Sequence, residues 1–139
     1  MAILAHLKFG NNALERYEKE YLAISVTSKF SREYSGIRPG SAIRCIIYTV
    51  EVIAPESVDL DLYGWYIDDE SREGCIEMEE TLRNDSIHRR TLKFENARCY
   101  SLIERYDITE KHRRRLLLEF SATSTATEGL QITCQKRIV

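Results

Sequence analysis

The sequence predicts a mainly β chain: an antiparallel β-barrel of about eight strands with one flanking α-helix. Three observations carry that prediction. Apolar residues alternate with polar ones in segment after segment, which is the period of a half-buried strand. Only one stretch, after Pro55, spaces its large apolar residues as a helix does. Finally, Arg90 to Ile108 is a strand pattern too long for a flat strand, and its phase changes midway. Leu92 and Phe94 alternate with Thr91, Lys93 and Glu95; Asn96 then falls where the next apolar residue is due, and Ala97, Cys99 and Ser101 take over. One residue inserted near Glu95-Asn96 makes a β-bulge, which bends and twists a strand so that it can serve both walls of a curled sheet.

The elements follow in order. Ile3, Ala5, Leu7 and Phe9 alternate with Leu4, His6 and Lys8 in a first strand that ends at the turn cluster Gly10-Asn11-Asn12. Leu22, Ile24 and Val26 alternate with Tyr21, Ala23, Ser25 and Thr27 in a second, which runs to about Phe30. From Ser31 to Ser41 the period is lost and turn residues dominate, predicting a long loop, and a loop of that length usually has a task. Ile43, Cys45, Ile47 and Thr49 then share one face, with Ile46, Tyr48, Val50 and Val52 on the other. A strand apolar on nearly both faces is central.

Ala54-Pro55-Glu56-Ser57 reads as the helix start, with Pro at the first helical position and Glu56 and Asp59 near the positive end of the dipole. Val58, Leu62 and Trp65 recur at i, i+4 and i+7 and form its packing anchor. Gly64 costs this helix about 1 kcal/mol relative to Ala, so packing of Trp65 against the barrel must hold it. Ile76 and Met78 alternate with Cys75, Glu77 and Glu79 in a strand from about Gly74 to Leu82, followed by the turn Arg83-Asn84-Asp85-Ser86. After the bulged strand, Leu116, Leu118, Phe120 and Ala122 form the inner face of another, and Leu130, Ile132 and Cys134 that of the last.

With 139 residues, the chain reads as one domain, 1–139, without a linker. A formal net charge of −2 argues against non-specific nucleic-acid binding, which needs clustered cations. The one such cluster, Lys111-His112-Arg113-Arg114-Arg115, reads as a solvated hairpin loop that keeps a sheet edge from pairing wrongly. The N-terminus has no basic segment followed by a long apolar run, and no apolar run, Cys45-Ile46-Ile47-Tyr48 included, approaches a membrane span. The expectation is a cytoplasmic protein without membrane insertion. Cys45, Cys75, Cys99 and Cys134 lie far apart in strand-like segments, the usage of reduced, packed thiols rather than of zinc or redox work.

No catalytic, cofactor or metal constellation emerges. His6, His88 and His112 sit in polar contexts, and nothing places Cys99 beside His112 as a dyad. Asp59-x-Asp61 and Asp68-Asp69-Glu70 lack the ligand alternation and central Gly of a calcium loop. Glu77, Glu79 and Glu80 against Arg89 and Arg90 read as cross-strand charge pairs that set register. A barrel with no reactive site acts through its surface or its cavity.

Leu-Lys-Phe-Glu-Asn-Ala-Arg-Cys-Tyr at 92–100, followed by Glu104-Arg105-Tyr106-Asp107, resembles the corresponding strand of the Hcp or TssD tube proteins of type VI secretion systems, in the divergent form found in Bacteroidetes. Tyr34-Ser-Gly-Ile-Arg-Pro-Gly40 is similar to that family's Gly-Arg-Pro loop, Leu62-Tyr-Gly-Trp65 to its helix end, and Leu116-Leu-Leu-Glu-Phe-Ser-Ala122 to its closing strand. Ile37 before Arg38-Pro39, Gly40, and an end without a late Trp depart from the pattern. The resemblance implies a structural, non-enzymatic subunit that forms hexameric rings. It further implies that these stack into an inner tube carrying effectors, with a VgrG-like spike, sheath and baseplate as partners, and leave the cell without a cleaved signal. Tyr34, Ile37 and Arg38 are the ring-stacking candidates it suggests, and the strand edges near residues 2–9 and 130–137 are expected to make lateral contacts. The alternative from another class is a monomeric small-ligand-binding β-barrel.

Overall fold

The computed structural model describes residues 4–35, 38–55, 59–109 and 114–134, with side chains described except at 4, 32–35 and 38–45. The strands are β1 (Leu4–Asn11), β2 (Arg16–Ser35), β3 (Arg38–Ile53), β4 (Arg72–Thr81), β5 (Ile87–Tyr106), β6 (Arg114–Ala122), β7 (Ser124–Thr127) and β8 (Leu130–Thr133), with α1 (Asp61–Ile67) between β3 and β4. They form one antiparallel sheet in the order β4-β1-β2-β3-β6-β5-β7-β8, and β4 also pairs with β5. That extra pairing closes β1, β2, β3, β6, β5 and β4 into a barrel, with β7 and β8 as a hairpin on its rim. No helix among the described residues is long and apolar enough to cross a membrane.

Closure depends on β5. Its first half pairs with β4, from Thr81↔Ile87 to Arg72↔Ala97, and its second half with β6, from Arg98↔Ser121 to Tyr106↔Arg114. The change-over lies at the expected bulge: Asn96 has φ 53°, a left-handed conformation that Asn tolerates better than most residues. The buried residues on either side, Phe94 and Ala97, are three apart instead of two. The facing chain does the same. Ala122 and Thr125, the latter opposite Phe94, are also three apart; Ser124 between them is buried too but turns its hydroxyl to the Glu95 carboxylate, and the Thr123 N–H donates to the Glu95 carbonyl at 3.1 Å. β6 and β7 therefore form one kinked edge along β5.

The barrel is filled by side chains. Tyr48, Trp65, Phe94 and Phe120 are fully buried, and Tyr48 stacks on Phe120 with ring centroids 5.2 Å apart. Phe94 lies 5.1 Å from Phe120, and Phe9 meets Trp65 edge-on at 4.9 Å. Aromatic pairs at such separations contribute beyond the area they bury. Leu7, Ile46, Val50, Ile76, Leu92, Leu116 and Leu118 complete the core. Where β1 crosses β4 the backbones approach so closely that a Cβ at Gly74 would sit 2.0 Å from the Lys8 carbonyl oxygen, so only glycine fits there.

Several expectations are corrected. Residues 31–35 and 38–41 are strand, not irregular loop: β2 and β3 stay paired out to Tyr34↔Pro39 and Ser35↔Arg38, and residues 36 and 37 lie outside the described residues. A two-stranded ribbon outside the barrel has no core face to demand alternation, and its outer edge tolerates proline. The helix starts at Asp61, not at Pro55, because Ala54 is still tied to β6 through its N–H to the Arg114 carbonyl (3.0 Å), and Asp59 accepts the Asp61 N–H at 3.0 Å. Leu22 (38% exposed) and Ile24 (44%) face outward, while Tyr21 and Ala23 are inside. One extra residue between Ala23 and Ser25 returns Val26 to the inner face, opposite Val50. Leu130, expected inside, is 61% exposed because it lies at the tip of the rim hairpin.

A β-branched residue cannot take the Asn96 conformation without strain. Asn96→Val should lower the unfolding free energy by roughly 1–2 kcal/mol and Asn96→Gly by less than about 1 kcal/mol. Urea titration followed by circular dichroism checks both.

Candidate functional site

One end of the barrel is stoppered by α1. Leu62 and Trp65 point inward and are buried; Val58 lies outside the described residues. The Trp65 indole Nε1 donates to the carbonyls of Glu70 (2.9 Å) and Ala97 (3.3 Å), so the polar atom of this core residue is satisfied. Arg72, on the inward phase of β4, fixes the stopper. Its Nη1 and Nη2 reach Asp61 Oδ2 and Oδ1 at 2.8 and 3.1 Å, its Nη2 meets Glu70 Oε1 at 2.6 Å, and its guanidinium lies over the rings of Phe9 (5.2 Å) and Trp65 (5.6 Å). The Tyr21 hydroxyl donates to the same Asp61 at 3.0 Å. A bidentate pair backed by aromatic faces is a use of arginine that lysine does not replace.

Burial by itself would raise the Asp61 carboxyl, but the hydrogen bonds and charge of Arg72, with help from Tyr21, outweigh it and hold the group below its ordinary value. Burial first, then the Asp61 carboxylate, pushes the Tyr21 phenol up, so it stays a donor. A shallow cleft of about 420 Å³ opens beside this cluster, lined by Phe9, Glu18, Lys19, Asp61, Arg72 and Glu73 among others. Its charged lining has no nucleophile paired with a base. Among the described residues no three His, Cys, Asp or Glu side chains are grouped to hold a metal ion. Cys99 is buried and its thiol is pushed up to about 11 by that burial; His112 lies outside the described residues.

The outer surface is uneven. Across β2, β1, β4 and the first half of β5 run the pairs His6–Glu20 (3.0 Å), Lys8–Glu77 (3.0 Å) and Glu79–Arg89 (2.9 Å). The wall made by β6 and the second half of β5 instead presents Ile103, 49% exposed, beside its cross-strand partner Leu117. β1 is not an edge, contrary to the expectation for residues 2–9: it pairs with β2 and with β4, because the barrel closes through it. β8 pairs on one side only, with β7. Tyr34 and Arg38 sit in the paired backbone of the β2–β3 ribbon, and Ile37 lies outside the described residues.

Neither a family model nor a curated protein matches the sequence. Solved structures do. Hcp1 from Flavobacterium johnsoniae superposes with a TM-score of 0.70 at 20% identity, covering 94% of this chain and 98% of that one. The chain has the Hcp fold. Hcp1 from Salmonella typhimurium gives 0.62 at 14% identity, over 96% of this chain and 93% of its own. The sheath/tube terminator of an extracellular contractile injection system, PVC, gives 0.56 at 15% identity, over 91% and 92%. The Hcp fold thus spans nearly the whole chain although few residues coincide, as expected where pattern and packing carry the architecture.

Of the residues that hold the stopper, Arg72 was missed. Its signal was present: with Gly74, Ile76 and Met78 it occupies the inward phase of β4, where a charge needs a buried partner. Because the Asp61 pKa is depressed on folding, its contribution is complete above the ordinary value of 3.8 and disappears as the pH falls through the lower folded value. Asp61→Asn should therefore be less stable than wild type at neutral pH, with the gap closing below about pH 4; thermal melts from pH 7 to 2 measure it. Burial raises the Cys75 thiol as well as that of Cys99. Both should resist maleimide at pH 8 in the folded protein and react only after denaturation, as read by peptide mass mapping.

Proposed function

We propose that the chain is a tube subunit of a type VI secretion system, one domain that forms hexameric rings stacking into the inner tube. The observation that carries this reading is the Hcp fold across nearly the whole chain, at a TM-score of 0.70 with Hcp1 of Flavobacterium johnsoniae. The packed interior supports it. Tyr48, Phe94, Phe120 and Trp65 occupy the space a lipocalin-like barrel keeps for its ligand, so the work falls to the surface.

A ring grows by head-to-tail contact, which requires two different patches on one subunit. The charge-paired β1–β4 wall and the wall that bears Ile103 and Leu117 are two such different surfaces. On this reading the subunit hydrolyses nothing. It is assembled in the cytoplasm, carries effectors in the lumen of the stacked rings, meets a VgrG-like spike, a baseplate and a sheath, and is expelled mechanically. On this reading Tyr34, Ile37 and Arg38 make the stacking contact, Tyr34 and Arg38 from the β2–β3 ribbon.

Light scattering after size exclusion, with negative-stain images of the same fraction, tests the proposal: rings of six with a central hole are expected, and a clean monomer would overturn it. Replacing Ile37 and Arg38 by Asp should leave rings intact and weaken stacking. Unchanged filament formation would remove the ribbon from that role.

A further inference from the structure

β8 occupies a place in the sheet that β3 leaves open. β3 pairs with β6 from Ile53↔Arg115 to Ile46↔Ala122 and stops there. Past the kink, the same edge is taken over by β8, from Ser124↔Thr133 to Thr127↔Leu130. Both strands are antiparallel to the β6–β7 edge, so they lie in line and point the same way. At the junction the Cys134 N–H donates to the Thr123 carbonyl at 2.7 Å. Continued in its register, β3 would set Ile43 opposite Thr125, the partner Ile132 has now, and Ser41 opposite Thr127, the partner of Leu130. Residues 38–45 pair with β2 alone.

We propose that β8 is a releasable strap whose occupancy of the β7 edge keeps the outer part of β3 off the barrel, and so decides whether the β2–β3 ribbon stands free. The fastening is light. β8 has four residues, of which only Ile132 packs against the core. It is held by the two-residue turn at Glu128 (φ 49°) and Gly129 (φ 84°), and by a 2.9 Å contact between His88 Nε2 and Glu128 Oε1 across to β5. The slot itself does not depend on β8. β7 stays paired to β5 on its other side through Lys93↔Ala126, Phe94↔Thr125 and Glu95↔Ser124, and the Thr125 hydroxyl donates to the Lys93 carbonyl at 2.8 Å. A vacated slot therefore presents a formed strand edge, and residues 41–45 are the nearest segment in register to fill it.

Two substitutions in the full-length chain weaken β8 by different routes. Ile132→Asp places a charge against the core, and Gly129→Val disfavours the turn without touching the core. Hydrogen exchange read by mass spectrometry then follows residues 41–45 and 124–127. In both variants the amides of 41–45 should exchange roughly tenfold more slowly than in wild type, while 124–127 keep their protection. Protection at 41–45 that does not rise in either variant overturns the strap. The consequence for stacking rests on the tube reading: the variants should form rings that no longer elongate. That part is read separately by negative stain, so wild type without rings would defeat the tube reading while leaving the exchange result to decide the strap.

Discussion

Everything in this barrel hangs on the requirement that one strand satisfy two successive neighbours. β5 gives its backbone first to β4 and then to β6, and it can do so only because it turns at Asn96 while the opposite edge turns with it at Thr123. The paired kinks keep Phe94 and Ala97 on the inner face on one side, and Ala122 and Thr125 on the other. Were either strand straight, half of its inward residues would point to solvent, since a slip of one position exchanges the two faces. The aromatic packing of Phe94 and Phe120, and the seat of Trp65 on the Ala97 carbonyl, follow from that geometry.

How much of this was legible depended on whether a residue's environment was set by its own strand. The alternation of Leu116, Leu118, Phe120 and Ala122, and the phase change at Asn96, announce themselves because each is local and strongly two-sided. The β2–β3 ribbon was misread as a loop because strand pairing without a core leaves no alternation to see. The inward turn of Tyr21 at the expense of Leu22 depends on Asp61, forty positions away, and no local period encodes it. The helix start moved for a similar reason: Arg114, whose Nη2 donates to the Pro55 carbonyl at 2.9 Å, keeps the chain beside β6 past the point where the sequence would let it coil. Among the site residues, Leu62 and Trp65 were visible from spacing, whereas Arg72 showed only as a charge on an apolar phase.

A solid barrel has consequences for what its surface must do. With the interior filled, specificity can reside only in edges and outer faces, and the two walls are built to different rules. One pairs its charges across neighbouring strands, and exposed pairs of this kind contribute little to stability. The other leaves apolar area uncovered. The stopper at the α1 end is unlike either, because it spends its charges on its own closure through Asp61, Glu70 and Arg72.

The seam between β1 and β4 joins residues far apart in the chain, as the 69-residue separation of Lys8 and Glu77 makes plain. During synthesis β1 can therefore find only one of its two partners until β4 has emerged, and the closed form must wait for β5 as well. Non-local pairing of this kind makes for slow folding and for intermediates with exposed strand edges. The chain's exposure to aggregation is thus concentrated before closure, while β1 still lacks β4.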